Sequence, residues 1–235
     1  MNKETARIEH VSQHSLFMTK ANACTIKYSF EIFKRFIKKG KILELGPAEG
    51  VMTEKLIELG QDLTIVEGTK TFCDLISRKF PQVRIIHSLF EDFKTEIKYN
   101  TIVLGHVLEH VENPVQILSL VKNWLTDDGI ILAAVPNSHS LHRQAAVLMG
   151  LLDKENSMSE LDIHHGHRRV YNIEQFKNDF LQAGLNIKSI GGYWLKPLSN
   201  KQIEDTWTPE MMEAFMKLGE RYPDIAAEIY IVAGN

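Results

Sequence analysis

The chain has 235 residues, of which 44% are hydrophobic and 24% are charged, a balance typical of one globular domain with a full core. The net charge of −3 gives no signature of a nucleic-acid-binding protein, and two isolated cysteines speak against a disulfide framework. The longest apolar run, residues 130–135, is too short to cross a bilayer, and the polar N-terminus does not resemble a secretory signal. We therefore expect a cytoplasmic protein with no membrane partner.

In the first half of the chain the pattern of apolar residues predicts alternating helices and strands. Residues 25–38 are expected to form an amphipathic helix, because Ile26, Phe30, Phe33 and Ile37 recur on one face. Strands are then predicted at residues 41–45, 63–67, 83–87, 101–105 and 129–135. Each is followed by a helix or a short helical piece, which implies a doubly wound parallel sheet with a ligand cleft at the carboxyl ends of its strands.

Three helix starts along the chain carry capping signals. Thr71 and Asp74 fit a capping box for the helix that ends before Pro81, and Asn113 before Pro114 fits an N-cap. Asn172 opens a later helix, with Gln175 at the reciprocal capping position and Gly184 at its end.

The second half of the chain loses this regular alternation. Residues 137–171 are rich in His, Ser and Met, with one helical patch near residues 145–152. Strands at 185–190 and 228–233, and a helix at 210–222, complete an α/β domain with seven strands, mostly parallel. We expect a single domain over 1–235, with residues 1–40 as a helical lid and 137–171 and 191–225 as insertions on the substrate side. Phe17, Met18 and Tyr28 are expected to shield the reactive centre.

A glycine turn follows the first strand, where residues 42–50 read Ile-Leu-Glu-Leu-Gly-Pro-Ala-Glu-Gly. Such a turn brings bare backbone close to a ligand, and Glu67, at the end of the second strand, can accept hydrogen bonds from both hydroxyls of a ribose. The dinucleotide pattern Gly-x-Gly-x-x-Gly fails at Ala48 and Val51, and no Gly-Lys-Ser/Thr follows as in a phosphate-binding loop. The remaining pattern is acid-x-Gly-x-x-x-Gly.

This stretch resembles the glycine motif of class I S-adenosylmethionine-dependent methyltransferases. Residues 88–93, 99–114 and 128–137 resemble the later landmarks of that family in the same order, and residues 166–171 resemble it weakly. The resemblance implies a Rossmann-like methyltransferase fold and S-adenosylmethionine as the cofactor. It also implies a set of cofactor-binding residues: Glu44, Gly46, Ala48, Gly50, Glu67, Gly68, Leu89, Phe90, Gly105 and His106.

Two positions depart from the family pattern. Ala48 replaces a common glycine, which is tolerated where the backbone needs no positive φ but narrows the approach to the ligand. Asn100 stands where the family usually has Asp at the start of the fourth strand, which leaves the role of that acid open.

Histidine supplies the candidate general bases. A positioned imidazole that removes a proton from the acceptor contributes about 10²–10⁴-fold to the rate. The candidates are His110, His165 and His167, and at His110 a role in shaping the pocket is equally open. A metal site made from His139, His142, His164 and His167 is conceivable, but the reaction needs no metal and we expect none.

Three functional hypotheses follow. The first is methyl transfer to an oxygen, less often a nitrogen, of a small molecule. The second is a methyltransferase acting on RNA or protein, which needs a basic footprint; residues 1–41 carry nine Lys/Arg against three Glu, and Arg143, Arg168 and Arg169 add to it. Those three arginines could instead pair with an acidic group on a small acceptor. The third is a non-catalytic cofactor-binding subunit. The oligomeric state is not readable from the sequence.

Overall fold

A computed structural model describes residues 3–15 and 19–235 of the chain. The described helices are α1 (Lys3–Gln13), α2 (Lys20–Phe33), α3 (Val51–Ile57), α4 (Lys70–Lys79), α5 (Pro114–Trp124), α6 (Leu141–Leu148), α7 (Glu160–His164), α8 (Ile173–Gln182), α9 (Asn200–Glu204), α10 (Pro209–Gly219) and a 3₁₀ turn at Pro223–Ile225. The strands are β1 (Lys41–Leu45), β2 (Asp62–Glu67), β3 (Arg84–His87), β4 (Tyr99–Gly105), β5 (Leu125–Pro136), β6 (Asn186–Tyr193) and β7 (Glu228–Gly234).

The seven strands form one sheet in the order β3-β2-β1-β4-β5-β7-β6. Strands β1 to β5 are parallel, and β7 runs antiparallel between β5 and β6. The predicted α/β class with a mostly parallel, seven-stranded sheet is therefore confirmed. The order reverses between β1 and β4, which is where a ligand binds in sheets of this kind.

The strands separate two apolar clusters, one on each face of the sheet. Along β1, Leu43 and Leu45 point into one cluster and Ile42 into the other, as the two-residue period of a strand requires. Glu44 lies on the same face as Ile42 and is almost completely buried. The sheet thus carries a carboxylate into its interior one residue before the glycine turn.

Several predicted boundaries differ from the structure. Helix α4 is capped by Thr69, whose hydroxyl accepts from Phe72 N at 3.3 Å, and not by a Thr71–Asp74 box. Thr71 instead donates its hydroxyl to Glu9 of α1, and Asp74 pairs with Lys70 at 2.7 Å. The caps predicted at Asn113 and at Asn172 with Gln175 are confirmed.

Other elements start earlier or are irregular. Helix α2 begins after the cap Thr19 and ends at Phe33, so residues 34–38 lie beyond the helix predicted there. Residues 89–92 form a turn rather than a helical piece, and α6 begins at Leu141, four residues before the predicted patch. None of the helices within residues 3–15 and 19–235 is long and apolar enough to cross a membrane.

Helix α1 lies across the carboxyl edge of the sheet. Glu9 accepts from the backbone N of Lys70 at the start of α4, at 2.9 Å. Arg7 donates to the carbonyl of Gly166 at 3.0 Å and to that of His110 at 3.1 Å. One helix therefore joins the β2 side of the sheet edge to the loop after β4 and to residues 160–168. Phe17 and Met18 lie outside the described residues. Tyr28 was expected to shield the reactive centre, but it does not line the cleft. Its ring packs against Tyr193, and its hydroxyl donates a hydrogen bond to Glu220 at 2.5 Å.

Candidate active site

A cleft of about 600 Å³ opens at the carboxyl ends of β1, β2, β4 and β5, beneath α1. Nine of the ten residues predicted to bind a cofactor line it, together with all three candidate catalytic histidines; Gly50 is the exception. Residues from the second half of the chain close its other side: His142, Arg143, Asp162, Lys196, Asn200 and Glu228. The sheet edge and the two insertions thus enclose one continuous space.

The turn after β1 is left-handed at three positions. Gly46, Ala48 and Gly50 have φ of 64°, 47° and 80°. A Cβ added to Gly46 would lie 3.2 Å from Val107 in the loop after β4. Glycine at position 46 therefore allows the turn and this loop to approach each other closely. From the sequence, a side chain at position 48 was expected to be tolerated if the backbone needed no positive φ. The backbone of Ala48 does have a positive φ, so this condition is not met and the residue is strained.

Gly50 also has a structural role. It caps α3, and a Cβ at this position would lie 2.5 Å from Ile76 of α4. Its lack of a side chain therefore permits close packing of α3 against α4, and its contact with a cofactor stays a prediction.

Glu67 ends β2 as a buried carboxylate facing the cleft. Its Oε1 accepts from Thr69 N at 2.7 Å and from Thr69 Oγ1 at 2.9 Å, which fixes the orientation of the carboxylate. Burial raises the pKa of Glu67 from its ordinary value of 4.5 to about 7. Gly68 follows it directly and lies beneath Leu89 and Ile8, which form an apolar wall next to the acid.

Glu44 is the second carboxylate of the sheet edge. Its Oε2 accepts from the hydroxyl of Thr53 on α3 at 2.7 Å, and burial raises its pKa to about 8. The acid of the glycine motif is thus held by α3, the helix that this same motif begins.

His106 lies between two acids that the sequence analysis did not single out. Its Nδ1 is 3.5 Å from Glu109 Oε1 and 3.8 Å from Glu228 Oε2, and its Nε2 is 3.2 Å from Tyr193 Oη. Burial alone would lower the pKa of His106, but Glu109 and Glu228 raise it above the ordinary value. His106 also has a φ of 59°, which is unusual for a residue with a side chain and turns its ring back between the two acids.

The three candidate bases lie together, and two of them have a lowered pKa. Burial lowers the pKa of His110 to about 3 and that of His165 to about 4, so both are weak bases. His167 Nδ1 lies 3.2 Å from Asp162 Oδ1, which leaves Nε2 as its second ring nitrogen. The rings of His110 and His167 meet edge to face at 4.7 Å. Asp162 was missed because its proximity to His167 depends on how α7 turns.

The four histidines considered as metal ligands, His139, His142, His164 and His167, do not come together as one site. His139 pairs with Glu155 at 2.6 Å, and His164 Nε2 lies 3.0 Å from the carbonyl of His14, both away from the cleft. A different set, Glu109, His110 and His167, brings three possible ligand atoms within 4.8 Å of one another. These three residues are the ones in the described chain that have the spacing to hold a metal ion.

The arginines proposed for a basic footprint are engaged within the protein. Arg143 pairs with Asp162 at 3.1 Å and donates to the carbonyls of Glu155 and Ser157. Arg168 pairs with Glu4 at 2.5 Å, and Arg169 donates to the carbonyls of Leu108, Val111 and Glu112. Arg168 and Arg169 therefore connect α1 and the insertion to the loop after β4, while Arg143 joins parts of the insertion to one another.

Comparison with known proteins agrees with this architecture. Residues 19–190 match the family described as a methyltransferase domain. The chain is 25% identical over 178 residues to a ubiquinone biosynthesis O-methyltransferase from Glaesserella parasuis serovar 5 (strain SH0165), covering 68% of this chain and 70% of the relative.

Solved structures share the fold at low sequence identity. An S-adenosylmethionine-dependent methyltransferase from Mesorhizobium loti superposes with a TM-score of 0.65 at 13% identity, covering 88% of this chain and 98% of that one. The CcbJ methyltransferase from Streptomyces caelestis gives a TM-score of 0.62 at 12% identity, covering 89% and 88%. The family match spans most of the chain, and the glycine turn and the acid after β2 lie at the cleft. The chain therefore belongs to the methyltransferase domain family and is a class I S-adenosylmethionine-dependent methyltransferase.

Proposed function

We propose that this enzyme transfers the methyl group to an oxygen atom of a small-molecule acceptor. The observation that carries the proposal is the enclosed cleft of about 600 Å³, bounded by the sheet edge, by α1 and by residues 142–165. Its volume falls within the range of small-molecule sites. The O-methyltransferase from Glaesserella parasuis supports oxygen as the accepting atom.

The residues present fit S-adenosylmethionine. Glu67 offers a buried carboxylate to the ribose hydroxyls, and the apolar side chains of Leu89 and Phe90 offer a surface to the adenine. At the other end, Glu109 Oε1 and Glu228 Oε2 are buried carboxylate oxygens that lie 3.5 Å and 3.8 Å from His106 Nδ1 and accept no normal hydrogen bond from the described residues. Acids without donors suit the end of the ligand that carries a sulfonium and an ammonium group.

The chain's contribution to the reaction is mainly positioning. When bound, the cofactor would supply a methyl group on a cationic sulfur. In such a transfer the nucleophile attacks the methyl carbon in line, and the sulfur leaves as a neutral thioether. The cleft residues have to hold the acceptor oxygen about 3 Å from that carbon, and such alignment is worth roughly 7–11 kcal/mol of the barrier. Helix α1 covers the cleft and limits the access of water.

His167 is the best candidate for the general base. Asp162 faces its Nδ1, so Nε2 can accept the proton from the acceptor hydroxyl while the carboxylate stabilises the resulting charge. His110 and His165 stay neutral because burial lowers the pKa of each, and we assign them to shaping the acceptor pocket.

The alternatives have less support. A methyltransferase acting on RNA or protein needs a free basic surface. Arg7, Arg143, Arg168 and Arg169 are engaged in internal contacts, so the footprint is reduced to exposed lysines of the N-terminal segment: Lys3, Lys27, Lys34, Lys39 and Lys41. Membership of an enzyme family leaves the non-catalytic alternative unsupported. Cys24 and Cys73 are free thiols, which supports a cytoplasmic location.

The test is a transfer assay with labelled S-adenosylmethionine carrying tritium in the methyl group. Purified enzyme would be incubated with a metabolite extract below 1 kDa, with total RNA, or with total protein, and the label in each fraction counted. We expect label in the small-molecule fraction, attached to oxygen by mass spectrometry, and none with Glu67→Ala. Label confined to RNA or protein would contradict the proposal.

A further inference from the structure

Lys196 is a buried cation in the wall of the cleft that the reaction described above does not use. It follows β6 and is only 7% exposed. Its Nζ donates to Asn200 Oδ1 at 2.7 Å and lies 4.8 Å from the centre of the Trp194 ring. Asn200 in turn donates to Asn22 Oδ1 at 2.9 Å, which aims the amide oxygen of Asn200 at the lysine.

The other cations of the cleft wall have acidic partners. Arg7 pairs with Glu4 at 2.7 Å, and Arg143 pairs with Asp162 at 3.1 Å. Across residues 3–15 and 19–235, no carboxylate oxygen lies within 4.0 Å of Lys196 Nζ. An ammonium group has three N–H donors, and within the part of the chain that the structure describes only the bond to the neutral amide of Asn200 is formed.

A buried cation without a paired acid is unfavourable unless a ligand supplies the missing negative charge and hydrogen-bond acceptors. Burial lowers the pKa of Lys196 to about 8, and Glu228 and Asp162 act on it only from beyond ion-pair distance. The backbone brings the lysine to this position through a left-handed residue, Trp194, with φ of 65°. Strain of this kind in a cleft wall is typical of positions where function requires a particular side-chain direction.

We infer that Lys196 binds an anionic oxygen group of the acceptor, a carboxylate or a phosphate, and so selects acidic acceptors. The inference rests on the proposed function, since it names the chemical class of that same small molecule. Asn200 acts as a positioning residue that holds the ammonium group towards the cleft. Arg143, one of the three arginines that the sequence suggested for this role, is already paired with Asp162.

Calorimetry with matched probes tests the inference. The enzyme, saturated with S-adenosylhomocysteine, would be titrated with benzoate, phenyl phosphate and the neutral benzamide. We expect at least one anion to bind about 10-fold or more tightly than benzamide, as for a charged hydrogen bond. Lys196→Gln should remove this preference and leave benzamide affinity within twofold. Lys201→Gln, an exposed lysine on α9, should retain it.

A pH series on the unaltered enzyme gives an independent readout. Anion affinity should fall between pH 7 and pH 9.5, because the lysine loses its charge, while benzamide affinity stays constant. Equal binding of anions and benzamide, or a preference that survives Lys196→Gln, would overturn the inference. Failure of the proposed function would be seen separately in the transfer assay, as label confined to RNA or protein, whatever the anion preference of the cleft.

Discussion

Arg7 of α1 donates a hydrogen bond to the carbonyl of Gly166 at 3.0 Å, across 159 positions of the chain. The same guanidinium reaches the carbonyl of His110 at 3.1 Å, so one side chain joins α1 to both walls of the acceptor end. A Cβ at Gly166 would lie 2.9 Å from Val11, which shows how closely the helix approaches this loop. Helix α1 is thus placed to control entry and release.

Arg7→Gln should make product release faster. The substitution removes two hydrogen bonds from a charged donor and the pair with Glu4, so the helix opens more often. We expect S-adenosylhomocysteine to dissociate about 10-fold faster in a stopped-flow displacement measurement. Lys3→Gln, an exposed cation on the same helix, is the control and should have no effect. An unchanged release rate in Arg7→Gln would show that α1 does not gate the cleft.

The affinity for the nucleoside should depend on the ionisation of Glu67. Burial raises its pKa to about 7, so the carboxylate is protonated below that pH and loses acceptors for the ribose hydroxyls. We expect 5′-methylthioadenosine, which has the ribose but no amino-acid group, to bind about tenfold more weakly at pH 6 than at pH 8 by calorimetry. Glu67→Gln should bind weakly at both values. A pH dependence that persists in Glu67→Gln would refute the ribose assignment.

Ala48→Gly should stabilise the fold. A left-handed residue with a side chain costs roughly 1–2 kcal/mol, partly offset because glycine is freer in the unfolded chain. We expect a net gain of about 0.5–1 kcal/mol in a urea titration. The same change at Ala145, inside α6, should have the opposite sign and cost about 0.5–1 kcal/mol. Destabilisation by Ala48→Gly would mean that the methyl group makes contacts worth more than the backbone strain.

His167→Gln should affect the chemical step and leave cofactor binding intact. Removal of a general base lowers kcat by about 10²–10⁴-fold. The dissociation constant of methylthioadenosine should stay within twofold, because His167 pairs with Asp162 whereas Glu67 is held by Thr69. His139→Gln, at an exposed histidine paired with Glu155, should keep full activity. If kcat survives in His167→Gln, the proton leaves by another route.

The cofactor half of the site could be predicted from the sequence because it is local. Gly46 follows its strand directly and Glu67 ends the next one, so strand–turn–helix spacing places both at the same edge. The cap of α4 was assigned two residues late because Thr69 and Thr71 are equally good caps by type, and only the contact of Thr71 with Glu9 distinguishes them.

The rest of the site depends on contacts between distant parts of the chain. Glu228 reaches the cleft because β7 inserts antiparallel beside β5, which pairs Glu228 with Pro136. Lys196 gets there through an irregular segment after β6, and Asp162 through a helix of five residues. Hydrophobic periodicity carries no information about such segments, so these three residues could not be assigned before the fold was known.

The position of β7 has a consequence for synthesis. Strand β6 joins the sheet only through β7, and β5 needs β7 to cover its outer edge. Until β7 has been made and has left the ribosome, β5 therefore presents unpaired backbone groups along its outer edge, and β6 has no strand to pair with. Such edges invite pairing with other chains.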